Sequence, residues 1–374
     1  MAVIHRRLAV RRRLQEAGAS YFLGVTGASH FFLDTDPVIA LGGFRAMAPA
    51  AVLLKESGET WLLVTPAWDA ARAARKADGA EIEGVQDSLA AAVAALLERV
   101  GCTPAQLLCH FDPALPSGLL RELTAAVGTG ARRDENLVAL AGAVRTADEL
   151  ASVQQATELA ELLQQRLLEI IRPGMRECDL AARLLHHARK LGSPDNFFLI
   201  SASQHNVAVK SPTTRVLDEG DILLAEITPM IDDQFSQICR TVVLGPRDPL
   251  ICERFDLLKA AFEHARRQAV PGRRMAEVAA AANEVIAGAG FGAFCKPPYM
   301  RVRGHGLGNI SGDPGDVGTD NPIRLDADMV FVLHPNQYFP DVGYLMCGDP
   351  VRVGPSDGAQ VLARADARLE FVTT

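Results

Sequence analysis

Five polar side chains interrupt apolar or glycine-rich stretches in the later part of the chain. They are Glu226 in the run Leu223–Ile227, Gln237 in Phe235–Thr241, His305 among Gly304, Gly306 and Gly308, His334 after Val332 and Leu333, and Cys347 between Met346 and Gly348. A carboxyl set into an apolar strand needs a partner or must hold its proton more tightly than usual, and Arg240 is the candidate structural partner for Glu226. Histidine serves either as an acid–base group or as a metal ligand. A free cysteine is most often a small buried hydrophobe, but as a thiolate it is a ligand or a nucleophile. Gln237 offers only a neutral amide.

Taken together as one site, a grouping that rests on the family resemblance set out below, these residues leave two chemistries open. In the first, Glu226, His305 and His334, optionally with Cys347, hold one divalent ion of borderline-soft character, Zn²⁺ or Fe²⁺, with positions left for water and hence hydrolase or lyase chemistry. In the second, no cofactor is used: His305 and Glu226 exchange the proton, and His334 polarises the substrate. A satisfied core histidine is the bland alternative for His334. His186 and His187 fall on a helix that the pattern assigns to a solvated face.

The elements that must position these groups follow from patterning. Residues 51–66 read as a hairpin around Ser57-Gly58, with helical patterns at 67–77 and 88–100 and a strand at 107–111. The pattern shifts near Arg145. Thr146 and Glu149 form a capping-box signature, Leu150, Val153, Ala156, Ala160, Leu163 and Leu167 recur at helical spacing, and Arg172-Pro173-Gly174 is a stop signal. Further helices are expected at 177–191, 252–268 and 273–288, and strands at 221–227, 234–245, 328–337 and 343–353. The order is that of an amino-terminal α/β domain over 1–145 and a carboxy-terminal α+β domain over 146–374.

Composition narrows the partners. The 374 residues carry a net charge of −7, with 48% apolar and 22% charged residues, which suits a globular protein and argues against a nucleic-acid or anionic-membrane partner. The basic cluster Arg6, Arg7, Arg11, Arg12 and Arg13 reads as the solvated face of a first helix whose apolar positions are Leu8, Val10, Leu14 and Ala17. No run approaches the roughly 18 apolar residues of a membrane span, the first residues lack a secretory pattern, and the seven cysteines show no paired spacing. Reduced thiols and a cytoplasmic location are expected.

Several segments resemble the M24 family of methionine aminopeptidase, prolidase, aminopeptidase P and creatinase. They are Thr146–Glu149 leading to Ile171-Arg-Pro-Gly-Met175, Ser211–Leu223, Pro229-Met230 with Cys239-Arg240-Thr241, and Gly304-His305-Gly306-Leu307-Gly308. The resemblance implies a pita-bread fold preceded by a smaller α/β, ribonuclease H-like domain, a homodimer, and a small-molecule substrate. It also implies a two-metal centre with five ligand positions, which here hold Glu226, Gln237, His305, His334 and Cys347. Shared carboxylate oxygens are what hold paired ions about 3.5–4 Å apart, so the loss of all but one carboxylate points away from a dinuclear centre. Two further family histidines fall at Val209 and Gly312, and the catalytic glutamates of creatinase fall at Cys239 and Met346. Arg240, Asn336, Tyr338 and Asp349 lie near the centre by resemblance, and His205 with Asn206 precedes Val209; of these, Arg240, Asn336, Tyr338, His205 and Gln237 are the expected substrate contacts. The expected activity is hydrolysis of a C–N bond in a small amino-acid-like, amide or amidine substrate. The alternatives are a mononuclear metal enzyme, an Xaa-Pro aminopeptidase, and a non-catalytic binding protein.

Overall fold

The computed structural model describes residues 2–307, 314–355 and 357–373. The chain divides into two compact units that change over between Asp148 and Glu149.

In the first unit, β1 (Tyr21–Thr26), β2 (Ala50–Lys55), β3 (Thr60–Val64), β4 (Glu81–Gly84), β5 (Leu107–Phe111) and β6 (Arg132–Arg133) form one mixed sheet in the order β4-β3-β2-β1-β5-β6. The expected hairpin is β2 and β3, with Lys55 and Thr60 flanking the turn. Strand alternation sends Phe22 into a cluster with Val10 and Leu14 of the helix Ala2–Glu16. It sends Tyr21, Leu23 and Val25 into a second cluster with Leu89, Val93 and Leu97 of the helix Leu89–Arg99. The first helix corrects one expectation. Arg6 and Arg7 are buried while Leu8 is exposed, and Arg7 Nε donates to the Leu41 carbonyl at 2.7 Å. Long cationic side chains here cover apolar surface and reach inward to backbone acceptors.

The second unit holds the remaining strands: β7 (Asn196–Ser203), β8 (Ile222–Ile231), β9 (Gln234–Phe235), β10 (Ile238–Leu244), β11 (Gly304–Gly306), β12 (Val330–Leu333), β13 (Gln337–Phe339), β14 (Gly343–Leu345), β15 (Asp349–Val353), β16 (Ala359–Val361) and β17 (Glu370–Val372). One sheet runs β17-β10-β8-β7 with β9 paired to β8, another runs β11-β12-β15-β16, and β13 pairs with β14. Asp232 and Asp233, both with positive φ (46° and 59°), form the tight turn between β8 and β9. The expected strands 234–245, 328–337 and 343–353 each break in two, at Ser236-Gln237, at His334–Asn336 and at Met346–Gly348. The breaks coincide with the polar positions singled out above.

The helices Ala147–Ile170, Glu177–Lys190, Pro249–Gln268 and Met275–Ile286 match the expected ones. Asp248 caps the third by accepting from the Leu250 and Ile251 amides. On Glu177–Lys190, His186 is exposed and His187 half-buried. Leu159, Leu163 and Leu167 of the first helix and Leu180 and Leu184 of the second pack on Leu223, Ala225, Ile227, Ile238 and Val242. That helix-covered face defines the opposite face of β8 and β10 as the one left for a site. Among the described residues no helix is long and apolar enough to cross a membrane.

Candidate active site

Strand parity decides which polar groups enter the site. On β8, Leu223, Ala225 and Ile227 face the helices, so Glu226 and Thr228 project from the other side. Cys239 stands directly across from Glu226 in the antiparallel pair, and Gln237 shares the parity of Cys239. Arg240 has the parity of Ile238 and Val242 and therefore turns to the helix layer. There its Nε donates to Gln164 Oε1 (2.8 Å), Nη1 to the Cys239 and Gly348 carbonyls, and Nη2 to Asp349 Oδ1 at 2.6 Å. Arg240 is thus neither a substrate contact nor the partner of Glu226, and Asp349 is its buried counter-ion.

The two histidines are brought together by close backbone packing. On β11, His305 lies opposite Val332. Gly304, at φ 149°, approaches so closely that a Cβ there would lie 2.1 Å from the Val332 carbonyl oxygen. Gly348 sits against the other side of His334, where a Cβ would lie 2.4 Å from the His334 Cβ and 2.8 Å from the Leu333 oxygen. Only glycine fits at either point. The imidazole rings of His305 and His334 meet edge to face with centroids 5.2 Å apart. His305 Nδ1 contacts the Gly306 carbonyl at 2.8 Å. Both ring nitrogens of His334 are buried without a hydrogen-bond partner among the described residues, as are Gln237 Oε1 and Thr228 Oγ1. Buried polar atoms are normally paired, so four such atoms in one unit are the mark of a place built for something else to occupy.

Arg303, fully buried, braces the loop that carries His334. It donates to Asn283 Oδ1 (2.7 Å), the Pro335 and Asn336 carbonyls, and Gln337 Oε1 (2.9 Å). Among the described residues no carboxylate forms an ion pair with it, and burial holds its pKa below the ordinary arginine value.

Electrostatics make the site almost neutral. Burial raises the Glu226 carboxyl to about 7, against the opposing pull of the Arg301 cation. Burial and the neighbouring His305 push His334 down to about 3, and burial lowers His305 as well. Both imidazoles are therefore uncharged at neutral pH. Burial and the charge of Glu226 raise the Cys239 thiol, so it keeps its proton. Arg301, an exposed residue, exerts its charge on Glu226, His305 and His334 alike.

The remaining expected residues fall as follows. Asn336 is buried, and its Oδ1 accepts from the Cys347 amide at 3.1 Å. Tyr338 stacks on Tyr299 (centroids 5.3 Å apart) and meets His205 edge-on at 5.7 Å. His205 is exposed, approaches the Pro340 carbonyl at 3.2 Å, and lines a separate polar cavity of about 260 Å³ with Lys210 and Thr213. Asn206 supports the backbone, donating to the Ile222 carbonyl at 2.7 Å. Cys347 contradicts its expected place among the ligands. It opens on a different cavity of about 240 Å³ with Lys259, Glu263 and Asp349, where burial pushes its thiol to about 12. The break of the strand at Met346–Gly348 puts glycine, not Cys347, against His334. Val209 is half-buried beside the polar cavity's Lys210, and Met346 is fully buried, its carbonyl accepting from Thr241. Gly308 and Gly312 lie outside the described residues. Sequence reasoning missed Arg301, Arg303 and Gly348. An arginine just ahead of a strand gives no signal of its own, but the glycine beside Cys347 was a legible cue for close approach.

The two-metal centre that the resemblance implies does not fit this donor set. The five positions keep one carboxylate, Glu226, whose proton affinity is raised. The bridging position holds the neutral Gln237, and Cys347 is turned away. Among the described residues no group of three or more His, Cys, Asp or Glu side chains is placed to hold a metal ion, which equally leaves the one-ion arrangement of Glu226, His305, His334 and Cys347 unformed.

Comparison with known proteins agrees with the fold. Residues 151–359 match the model of metallopeptidase family M24. The Xaa-Pro dipeptidase of Pyrococcus furiosus is 24% identical over 229 residues, 60% of this chain and 64% of that one. A putative dipeptidase of Bacillus subtilis, YkvY, is 25% identical over 228 residues, 59% of this chain and 60% of its own length. The matched stretch thus spans less than two-thirds of these relatives. Among solved structures, an Xaa-Pro dipeptidase from Bacillus anthracis superposes with a TM-score of 0.85 at 20% identity, covering 99% of this chain and 100% of its own. Dipeptidase PepE from Mycobacterium ulcerans gives 0.83 at 22% identity, covering 100% and 98%. With pita-bread architecture throughout its second unit and a family match over more than half its length, the chain belongs to metallopeptidase family M24.

Proposed function

We propose that this chain is a hydrolase that cleaves the C–N bond of a small amide of amino-acid character without a pair of metal ions. The observation that carries the reading is His334, buried beside His305 with both ring nitrogens unpartnered, in a site whose carboxyl, Glu226, titrates near neutral pH. A base with a pKa near the working pH is the most effective one. In this reading Glu226 takes a proton from water as the oxygen adds to the amide carbon. The neutral imidazole of His334 donates a hydrogen bond to the carbonyl oxygen, and His305 holds the second ring in register. The proton then passes from Glu226 to the departing nitrogen. Arg301, exposed above these groups, favours a substrate with a carboxylate at its outer end.

Membership of a peptidase family supports C–N bond hydrolysis, and the relatives called Xaa-Pro dipeptidase make L-alanyl-L-proline the first substrate to try. L-Alaninamide and an N-carbamoyl amino acid test the smaller alternatives. The expected result is release of amine from at least one of them by the chelator-treated protein, with Glu226→Gln and His334→Ala each inactive. Turnover that survives both substitutions refutes the reading, and binding without turnover replaces it with a ligand-binding protein. The chain is further proposed to act as a homodimer in the cytoplasm, which sedimentation analysis tests for the first part.

A further inference from the structure

Two buried polar side chains near Glu226 have no duty in the proton transfers described above. Thr228 and Gln237 are both fully buried, and neither Thr228 Oγ1 nor Gln237 Oε1 has a hydrogen-bond partner among the described residues. The strand register makes them neighbours. β8 pairs Ile231 with Gln234 and Met230 with Phe235 on β9, then Ile227 with Ile238 and Glu226 with Cys239 on β10. Between these pairs the Ser236 amide donates to the Pro229 carbonyl at 3.1 Å. The register therefore runs through the strand break without a slip and sets Gln237 across from Thr228. Alternation fixes the face. Ser236 Oγ meets Thr157 Oγ1 of the helix layer at 2.8 Å, which turns Gln237 the other way, to the side of Glu226. There its Nε2 donates to Cys239 Sγ at 3.6 Å, and Oε1 is the end left over. His334 closes the group, because Cys239 exchanges backbone hydrogen bonds with Gly348 and Gly348 lies against His334.

The unpartnered atoms match a neutral, planar ligand. Gln237 Oε1 accepts, Thr228 Oγ1 can accept, and the uncharged imidazole of His334 has one N–H to give. None of the three carries the fixed charge that a divalent cation or a buried ammonium needs. A –CO–NH2 group offers the complement: two hydrogens on one nitrogen and one acceptor oxygen. Side chains directly opposed on an antiparallel pair start about 5 Å apart, roughly the separation of two acceptors that each take one hydrogen of a planar –NH2. We propose that the site is specific for a primary amide, whose two N–H hydrogens go to Gln237 Oε1 and Thr228 Oγ1 while its carbonyl oxygen accepts from His334. This substrate class rests on the hydrolase reading above, and it makes ammonia the leaving group. The water oxygen bonds to the carbonyl carbon and one water proton goes to the Glu226 carboxylate. The C–N bond then breaks with its electron pair on nitrogen, which takes the proton from Glu226 and departs as ammonia. Amide and water are consumed; a carboxylic acid and ammonia are formed. An amide nitrogen without hydrogen, as in L-alanyl-L-proline, leaves both acceptors unpaired and is disfavoured.

The test uses the full chain with succinamate, a primary amide that also carries a carboxylate, and its N,N-dimethyl analogue, which lacks both N–H hydrogens. Ammonia release from succinamate should exceed dimethylamine release from the analogue by about 10⁴-fold in kcat/KM, the discrimination that a site built to bond an N–H exerts against a ligand without it. The intrinsic reactivity of the two amides cancels when variants are compared. Thr228→Val and Gln237→Leu should each shrink that ratio by about tenfold, by lowering kcat/KM for succinamate and leaving that for the analogue unchanged. Thr228→Val should also keep or raise the melting temperature, because an unpartnered buried hydroxyl is exchanged for a methyl of the same shape. A ratio unchanged in both variants overturns the proposal, as does a fall of several degrees in Thr228→Val, which would show the hydroxyl spent on the fold. In either case turnover of one of the amides leaves the hydrolase reading standing. If neither amide is turned over, calorimetry separates the two levels. Succinamate bound more tightly than its analogue, with the difference lost in Thr228→Val, keeps the primary-amide site and removes only the hydrolysis; equal binding, or none, overturns the site as well.

Discussion

Replacing Glu226 with glutamine should stabilise the fold, by an amount that grows as pH rises from about 4.5 to about 7 and is then constant. In the native chain the carboxyl titrates at about 7 instead of its ordinary 4.5 because burial disfavours the anion. Between those two values the folded chain holds a proton that the unfolded chain has released. Stability therefore falls as pH rises through that window, by 1.36 kcal/mol for each pKa unit separating the two states. The full difference would come to about 3 kcal/mol. Glu226 is half-buried, and solvent screening reduces this to about 1–2 kcal/mol. Glutamine is close in shape and always neutral. Denaturant unfolding of wild type and Glu226→Gln at pH 4 and pH 8.5 cancels every other titrating group in the difference. The two proteins should be nearly equal at pH 4, below the unfolded value, and the variant more stable by about 1–2 kcal/mol at pH 8.5. A difference that is the same at both values, or a variant less stable at pH 8.5, would show that Glu226 is not a desolvated carboxyl and would remove the basis for its role as a neutral-pH base.

Other consequences are as specific. Activity should rise about tenfold per pH unit below pH 7 and level off above it, because the base form of Glu226 is required and His334, at about 3, stays neutral throughout; a rate that falls through this range contradicts the assignment. Asp349→Ala should lower stability by about 3–5 kcal/mol by leaving Arg240 buried without its counter-ion, and the double change Arg240→Met with Asp349→Leu should recover most of that loss in the same unfolding assay. Gly348→Ala must displace His334 or the backbone at Leu333; it should cost about 1–3 kcal/mol of stability and reduce turnover sharply. Arg303→Met strands four acceptors, including Gln337 Oε1 and the Asn336 carbonyl, at about 1 kcal/mol or more each, so a melting temperature within a degree or two of wild type would contradict its bracing role.

Much of the fold could be read from the chain because its helices are long and periodic and its hairpins are marked by turn residues. The helix Ala147–Ile170 and the strands flanking Ser57-Gly58 were recovered nearly residue for residue. Strand β7 was not assigned, since Asn196–Ser203 lacks a clean alternation and its polar end runs into the SASQHN loop. Glu226, His305 and His334 were legible because each is a polar residue in an apolar or glycine-rich setting. Arg240 and Cys347 were misplaced for one shared reason: a family position predicts proximity in the chain, but parity and strand breaks decide where the side chain turns. Arg240 shares the helix-facing parity of Ile238, and the break at Met346–Gly348 swings Cys347 to the other side. Arg303 carries no sequence signal, because its role depends on what the Asn283–Gln337 acceptors do in three dimensions.

The proposed chemistry turns on a site too poor in carboxylates to hold paired cations. Metal analysis of the purified protein, dialysed after exposure to excess Mn²⁺ and Zn²⁺ and assayed for amine release before and after, tests this most directly. No stoichiometric metal and a rate that neither ion stimulates are expected; two tightly held ions per chain, with activity that depends on them, would contradict the proposed chemistry.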